Sequence, residues 1–126
     1  MIAADTSTWI AFLEAEQGQD AELLDKALQD RQVLMVPAVL TELLSDPNLP
    51  SDVGETLSQV PLIDIAQGYW QRAGALQAKV LSKRRKARLE DALIAQCCID
   101  AKVVLITRDG DFRSFADAPG LEVVFG

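Results

Sequence analysis

The chain contains no histidine. That excludes Ser-His-Asp and Cys-His catalysis, removes the usual general base at neutral pH, and leaves no imidazole to complete a zinc site. Cysteine is scarce as well. Its two copies, Cys97 and Cys98, are adjacent in a predicted helix, where they cannot close an ordinary disulfide, and they read as small buried apolar residues. No segment approaches the roughly 18 apolar residues of a membrane span, and the opening Met1-Ile2-Ala3-Ala4-Asp5 has no basic start leading into an apolar run. A soluble, cytoplasmic protein with no membrane partner is expected. A glycine-rich turn ending in Lys-Ser/Thr is missing, which removes a P-loop enzyme. Basic residues are the minority, 12 against 19 acids for a net charge of -7, a balance that argues mildly against nucleic acid as a partner. Chemistry must therefore come from carboxylates, hydroxyls, basic side chains or a metal.

What is present suffices for one ordinary domain spanning residues 1–126, since 49% of the chain is hydrophobic. The apolar pattern switches between short runs and helical spacing, which indicates alternating strands and helices and hence an α/β class. Met1 to Ala4 reads as a first strand. Thr6 or Ser7 can cap a helix from about Thr8 to Glu16, with Trp9, Ile10, Phe12 and Leu13 in apolar contact. Asp20 to Asp30 is a second helix, Val33 to Val36 a buried strand, and Pro37 the natural first residue of the helix carrying Glu42. A short helix near Val53 to Gln59, a strand over Leu62 to Ile65 and a long helix from near Gly68 follow. Leu89 to Asp100 has helical spacing, Val103 to Ile106 is a strand, Thr107 to Asp111 a polar turn, and Glu122 to Phe125 a short closing strand.

Four acids stand out once these elements are laid in one parallel sheet. Asp5 and Asp109 follow strands and so reach the sheet's carboxyl edge. Asp91 begins a helix that runs back antiparallel to the next strand, which puts its start at the same edge. Glu42 lies five residues after Pro37, about 7.5 Å along its helix. Open α/β sheets bind ligands at this edge, and carboxylates brought together in a cleft repel one another unless a cation joins them. Each acid has a plainer role too. Asp5 suits a cap, Asp91 a helix dipole, Asp109 and Asp111 a glycine-containing turn, and Glu42 a surface position. It is their joint placement that points to a site for a hard divalent ion such as Mg²⁺ or Mn²⁺, which oxygen ligands favour over zinc.

The sign of charge reverses between Arg72 and Arg88. The run Lys83-Arg84-Arg85-Lys86-Ala87-Arg88 directly precedes Glu90-Asp91. Beside a carboxylate cluster, such a run can hold phosphates while the acids hold metal, as a metal-dependent nuclease requires; alone it can equally be a solvated face. A haloacid-dehalogenase-like phosphatase also places Asp after its first strand, but it needs a second Asp two positions on, where Ser7 stands.

Four segments are read together: Asp5-Thr6-Ser7-Thr8-Trp9-Ile10, Val39-Leu40-Thr41-Glu42-Leu43, Glu90-Asp91-Ala92-Leu93-Ile94-Ala95, and Leu105-Ile106-Thr107-Arg108-Asp109-Gly110-Asp111-Phe112. In this combination the chain resembles the PIN-domain ribonucleases, specifically the VapC-type toxins of toxin-antitoxin pairs. No one of the four segments is specific, but their order, spacing and chain length are. The resemblance implies a three-layer α/β/α fold around a mostly parallel sheet and metal-dependent cleavage of RNA. It matches Asp5, Glu42, Asp91 and Asp109 to the acidic quartet, Asp111 to a frequent additional acid, and Thr6 and Thr107 to hydroxyls that orient carboxylates. On this reading Asp5, Asp91 and Asp109 are metal ligands, Glu42 is a ligand or water-orienting base, and Asp111 either binds a second metal ion or supports the ligands from behind. Lys83, Arg84, Arg85, Lys86 and Arg88 are candidates for the RNA backbone. Many relatives carry a small or polar residue where Glu90 stands. A homodimer held inactive by a small antitoxin is implied as well. The alternative is a PIN-like module that binds RNA or protein without cutting.

Overall fold

The computed structural model describes residues 1–126. The sheet is parallel throughout. Strand β1 (Ile2–Ala4) pairs with β2 (Val104–Thr107) in the register Ile2↔Val104 to Ala4↔Ile106, and β2 pairs with β3 (Val123–Phe125) in the register Leu105↔Val123 to Thr107↔Phe125. On the other side of β1 the chain adds two parallel bridges, Ile2↔Val33 and Met35↔Leu62. The lateral order is therefore residue 62, residues 33–35, β1, β2, β3.

Two expected strands shrink in this arrangement. Val33 to Val36 contributes only its two bridge residues, because Val33 faces Ile2 while Met35 turns to Leu62 on the opposite side. Leu62 to Ile65 pairs only through Leu62. The preceding Pro61 has no N–H to donate, although its carbonyl accepts from the Met35 amide at 2.7 Å, and Ile65 is left exposed.

The helices are α1 (Thr6–Leu13), α2 (Gln19–Gln29), α3 (Pro37–Leu44), α4 (Ser51–Ser58), α5 (Tyr69–Ser82) and α6 (Leu89–Ala101), with a 3₁₀ turn at Gly110–Phe115. They flank the sheet in a three-layer α/β/α fold. Helices α1 and α2 pack on each other, as do α5 and α6, and α3 touches both α1 and α6. Helix α6 is apolar nearly all round, from Ala92 and Ile94 to Cys97 and Cys98, because it is covered by α5 on one side and the sheet on the other. Its two cysteines are buried and free, as expected of apolar packing residues. The cap of α1 is Asp5 rather than Thr6 or Ser7, and the helix stops at Leu13, where Glu14 caps it and Ala15 takes a positive φ of 55°. Trp9 joins the core as expected, whereas Ile10 and Leu13 remain 43% and 38% exposed.

The connectivity places the site. From β1 the chain moves outward to residues 33–35 and then to residue 62. It next returns through α5 and α6 to the opposite side of β1, where it forms β2. The direction of winding thus reverses between β1 and β2, and at such a switch point the loops leaving the two carboxyl ends part to open a crevice. Asp5 follows β1 and Asp109 follows β2.

Candidate active site

The crevice is a cavity of about 220 Å³ lined by Asp5, Glu42, Arg88, Glu90, Asp91 and Asp109, with Thr6, Ser7, Ile10 and Ile94 completing its wall. All four acids of the expected quartet face it. Three stand at helix starts: Asp5 caps α1, Asp91 lies in the first turn of α6, and Asp109 caps the 3₁₀ turn. The plain structural role and the site role thus coincide, since the amide end of a helix tolerates an acid on either account.

Asp5 is 3% exposed, and both of its oxygens are engaged. Ser7 Oγ lies 2.8 and 2.9 Å from them, the Thr8 amide donates to Oδ1 at 3.1 Å, and Thr107 Oγ1 donates to Oδ2 at 2.7 Å. The same Thr107 oxygen accepts from the Asp109 amide at 2.9 Å, and Asp109 Oδ1 accepts from the Asp111 amide at 2.9 Å. One buried hydroxyl therefore ties the loop after β2 to the acid after β1. Burial raises the Asp5 pKa despite these donors, and the Asp109 charge adds to the rise. Burial likewise raises Asp91, which is 5% exposed, against the lowering pull of Arg88. Glu90 meets the carboxyl of Glu42, and that contact first, then burial, pushes it up to about 7. Glu90 thus shares the cavity as a partner of Glu42.

Of the two hydroxyls singled out in the sequence, Thr107 binds Asp5 and the Asp109 amide, while Thr6 is buried with no hydrogen-bond partner and Ser7 is the α1 hydroxyl that meets Asp5. Asp111 stands outside the cavity wall, accepts from Arg88 Nη2 at 2.8 Å and forms an ion pair with Lys86 Nζ at 3.0 Å. The basic run divides. Lys83 and Arg85 pair with Asp117, Lys86 with Asp111, and Arg88 reaches Asp91, Asp109 and Asp111 together.

Sequence reasoning missed a second arginine. Arg108 lies between Thr107 and Asp109 and forks onto Asp20, Nε to Oδ2 and Nη2 to Oδ1, both at 2.8 Å. Asp20 is fully buried, also accepts from Thr8 Oγ1 at 2.9 Å, and is held below the usual carboxylate range chiefly by Arg108. A Cβ on Gly18 would lie 2.6 Å from both Arg108 Nη2 and Asp20 Oδ1, and Gly18 has a φ of 151°, so this approach requires glycine. The available signal was a cap-compatible Asp at the start of a helix next to Gly18; nothing local marks a partner 88 residues away.

The donors on the cavity wall fit a hard divalent cation in kind: carboxylate oxygens, with a buried hydroxyl on Thr6 that no protein group satisfies. As they stand, no three acids are gathered closely enough to hold one ion.

A family model described as PIN domain matches residues 2–118. The chain belongs to the PIN domain family. Solved structures agree on the fold. A VapBC2 structure from Rickettsia felis bound to a promoter DNA fragment aligns with a TM-score of 0.77 at 20% identity, covering 100% of this chain and 99% of that one. VapBC-5 from Mycobacterium tuberculosis, described as a member of the VapBC family of toxin-antitoxin systems, gives 0.71 at 20%, with 99% and 98% covered. FitAcB from Neisseria gonorrhoeae gives 0.74 at 19%, with 100% and 97% covered. A search of curated protein sequences finds no match. In this PIN domain the crevice at the switch point between β1 and β2 is the candidate active site. No helix is long and apolar enough to cross a membrane.

Proposed function

We propose that this PIN domain is a metal-dependent endoribonuclease, the VapC-type toxin of a type II toxin-antitoxin pair. The observation that carries the reading is the convergence of Asp5, Glu42, Asp91 and Asp109, from four separate elements, on one cavity at the switch point. Asp5, Asp91 and Asp109 are the residues that would hold Mg²⁺ or Mn²⁺, with Glu42 as a further ligand or a water-orienting base. A bound divalent ion supplies Lewis acidity toward the scissile phosphate and eases the deprotonation of water.

The chain's own groups supply the rest. Thr107 and Ser7 fix the Asp5 carboxylate so that it does not rotate, as hydrogen-bonding partners of a metal ligand do. The Glu42–Glu90 pair, with Glu90 near 7, is able to hold one proton at neutral pH and to accept one from a water in the cavity. Arg88 lines this cavity, Lys86 lies beside it on Asp111, and with Lys83, Arg84 and Arg85 they are suited to the RNA backbone, although all but Arg84 now face acids of the same chain.

An antitoxin also fits the surface. A larger groove of about 480 Å³ shares Thr6, Ile10 and Glu42 with the acid cavity and continues along Leu13, Leu49 and Val53. Exposed apolar side chains beside carboxylates suit a peptide that is apolar along its length and basic where it meets the acids. Self-association into a homodimer belongs to the same proposal.

The test is cleavage of a mixed cellular RNA pool by purified protein with Mg²⁺, Mn²⁺ or EDTA, beside Asp5→Asn and Asp91→Asn. Discrete cuts that need metal and vanish in both variants are expected. The binding-only reading draws on one observation, that Arg88 already satisfies three of the acids. Intact RNA, bound equally by wild type and variants, would establish it instead.

A further inference from the structure

Arg88 stands where a cation is wanted. Its Nε lies 3.4 Å from Asp91 Oδ2, and its Nη2 lies 3.3 Å from Asp109 Oδ2 and 2.8 Å from Asp111 Oδ2. One guanidinium thus joins acids from the start of α6 and from the turn after β2. Two of them, Asp91 and Asp109, line the cavity, and so does Arg88 itself. These are oxygens that a hard ion would need, and a divalent ion and a guanidinium cannot both take them at contact distance.

The attachment of Arg88 leaves it free to move. Its side chain is 55% exposed, its backbone is extended at φ −72° and ψ 147°, and it precedes α6 without making a side-chain cap bond. Rotating it away breaks no helix hydrogen bond. Arg108, by contrast, is forked onto a buried acid.

We propose that Arg88 is a built-in counter-ion of the carboxylate cluster, which a divalent cation must displace to bind, so that this chain weakens its own metal affinity. The inference rests on the reading that these acids hold metal. Displacement exchanges one positive group for a stronger one at Asp91 and Asp109. The freed guanidinium stays tethered at the rim of the cavity, one residue from the start of α6, where an incoming phosphate meets it. Lys86 also lies on Asp111, so with Arg88 displaced the turn after β2 still has a cation beside it.

The test measures Mn²⁺ binding directly, by calorimetry and by loss of the free-ion electron paramagnetic resonance signal, on wild type, Arg88→Gln and Asp91→Asn. Arg88→Gln is expected to bind Mn²⁺ about fivefold or more tightly than wild type, the order expected from removing one competing charge at contact distance in a solvated site. In wild type, the Arg88 Nε resonance, identified by its absence from Arg88→Gln, is expected to shift on Mg²⁺ addition while that of Arg108 stays in place. Equal or weaker Mn²⁺ binding by Arg88→Gln, or an Arg88 resonance indifferent to Mg²⁺ that binds, overturns the proposal and leaves the nuclease reading standing. If wild type and Arg88→Gln both bind no more Mn²⁺ than Asp91→Asn, the metal reading fails and this inference fails with it.

Discussion

Two arginines hold acids at the carboxyl edge of this sheet, in unlike surroundings. Arg108 meets Asp20 in a bidentate fork, with the acid buried, the Thr8 hydroxyl on the same oxygen, and Gly18 cleared to admit the guanidinium. Arg88 spreads over three partly separate acids at 2.8 to 3.4 Å and stays more than half exposed. Geometry and burial, rather than charge, separate a fixed brace from a movable counter-ion. A buried pair tolerates the loss of neither partner, because the survivor is left as an unpaired charge out of water, while Arg88 and two of its three acids, Asp109 and Asp111, return to solvent at little cost and only Asp91 stays buried.

The largest effect should come from breaking the brace. Arg108→Met leaves Asp20 buried and unpaired, and is expected to lower unfolding stability by about 3 kcal/mol in a urea titration. A loss near zero would mean that Asp20 finds water, and that the two arginines are more alike than their burial indicates. Next comes the hydroxyl that ties the loop after β2 to Asp5. Thr107→Val keeps the shape but removes a donor from Asp5 and an acceptor from the Asp109 amide, an expected cost of about 2 kcal/mol that Thr107→Ser should largely restore.

A smaller effect is expected of the acid pair facing Arg88. Glu90 titrates near 7 in the folded chain against an ordinary 4.5. Below the ordinary value it is protonated in both states, and the contact with Glu42 contributes fully. As pH rises toward 7, the folded state keeps a proton that the unfolded state has lost, so stability falls across that window and levels off above it. Glu90→Gln carries no such titration. Its melting temperature in EDTA, relative to wild type, should therefore be higher at pH 8 than at pH 5, and a constant difference would discard the shared-proton pair. The smallest effect belongs to Arg88→Gln, whose midpoint of urea unfolding in EDTA should stay close to wild type. A large drop would place Arg88 with Arg108 as a structural brace.

How much of this was legible in the sequence follows from the range of the interactions. Helix α6, strand β2 and the turn after it were readable because pattern, strand composition and turn residues are local. The placement of the quartet was readable because parallel winding sends every strand end, and the start of every helix that runs back antiparallel to the strands, to one edge. Three consecutive cap-forming residues, Asp5, Thr6 and Ser7, left the start of α1 open. One step of about 100° around a helix then decides that Ser7, not Thr6, faces Asp5. The short bridges at Val33, Met35 and Leu62 depend on which neighbour each residue meets, which apolar periodicity does not encode. The Arg108–Asp20 and Arg88–Asp109 pairs join segments far apart in the chain, and nothing in either segment names its partner.

Asp5 carries an implication for how such a chain drifts. As a carboxylate it is nearly dry, and burial disfavours the charge that the proposed chemistry needs. Asparagine would cap α1 equally well and bring no charge into the interior. Against that, an amide keeps only one of the two oxygens that Ser7, Thr8 and Thr107 now share, so the gain from losing the charge is offset by a lost acceptor, and selection for activity is what holds the acid in place. In a lineage released from that pressure, this is the position at which silence would come first, with the fold intact.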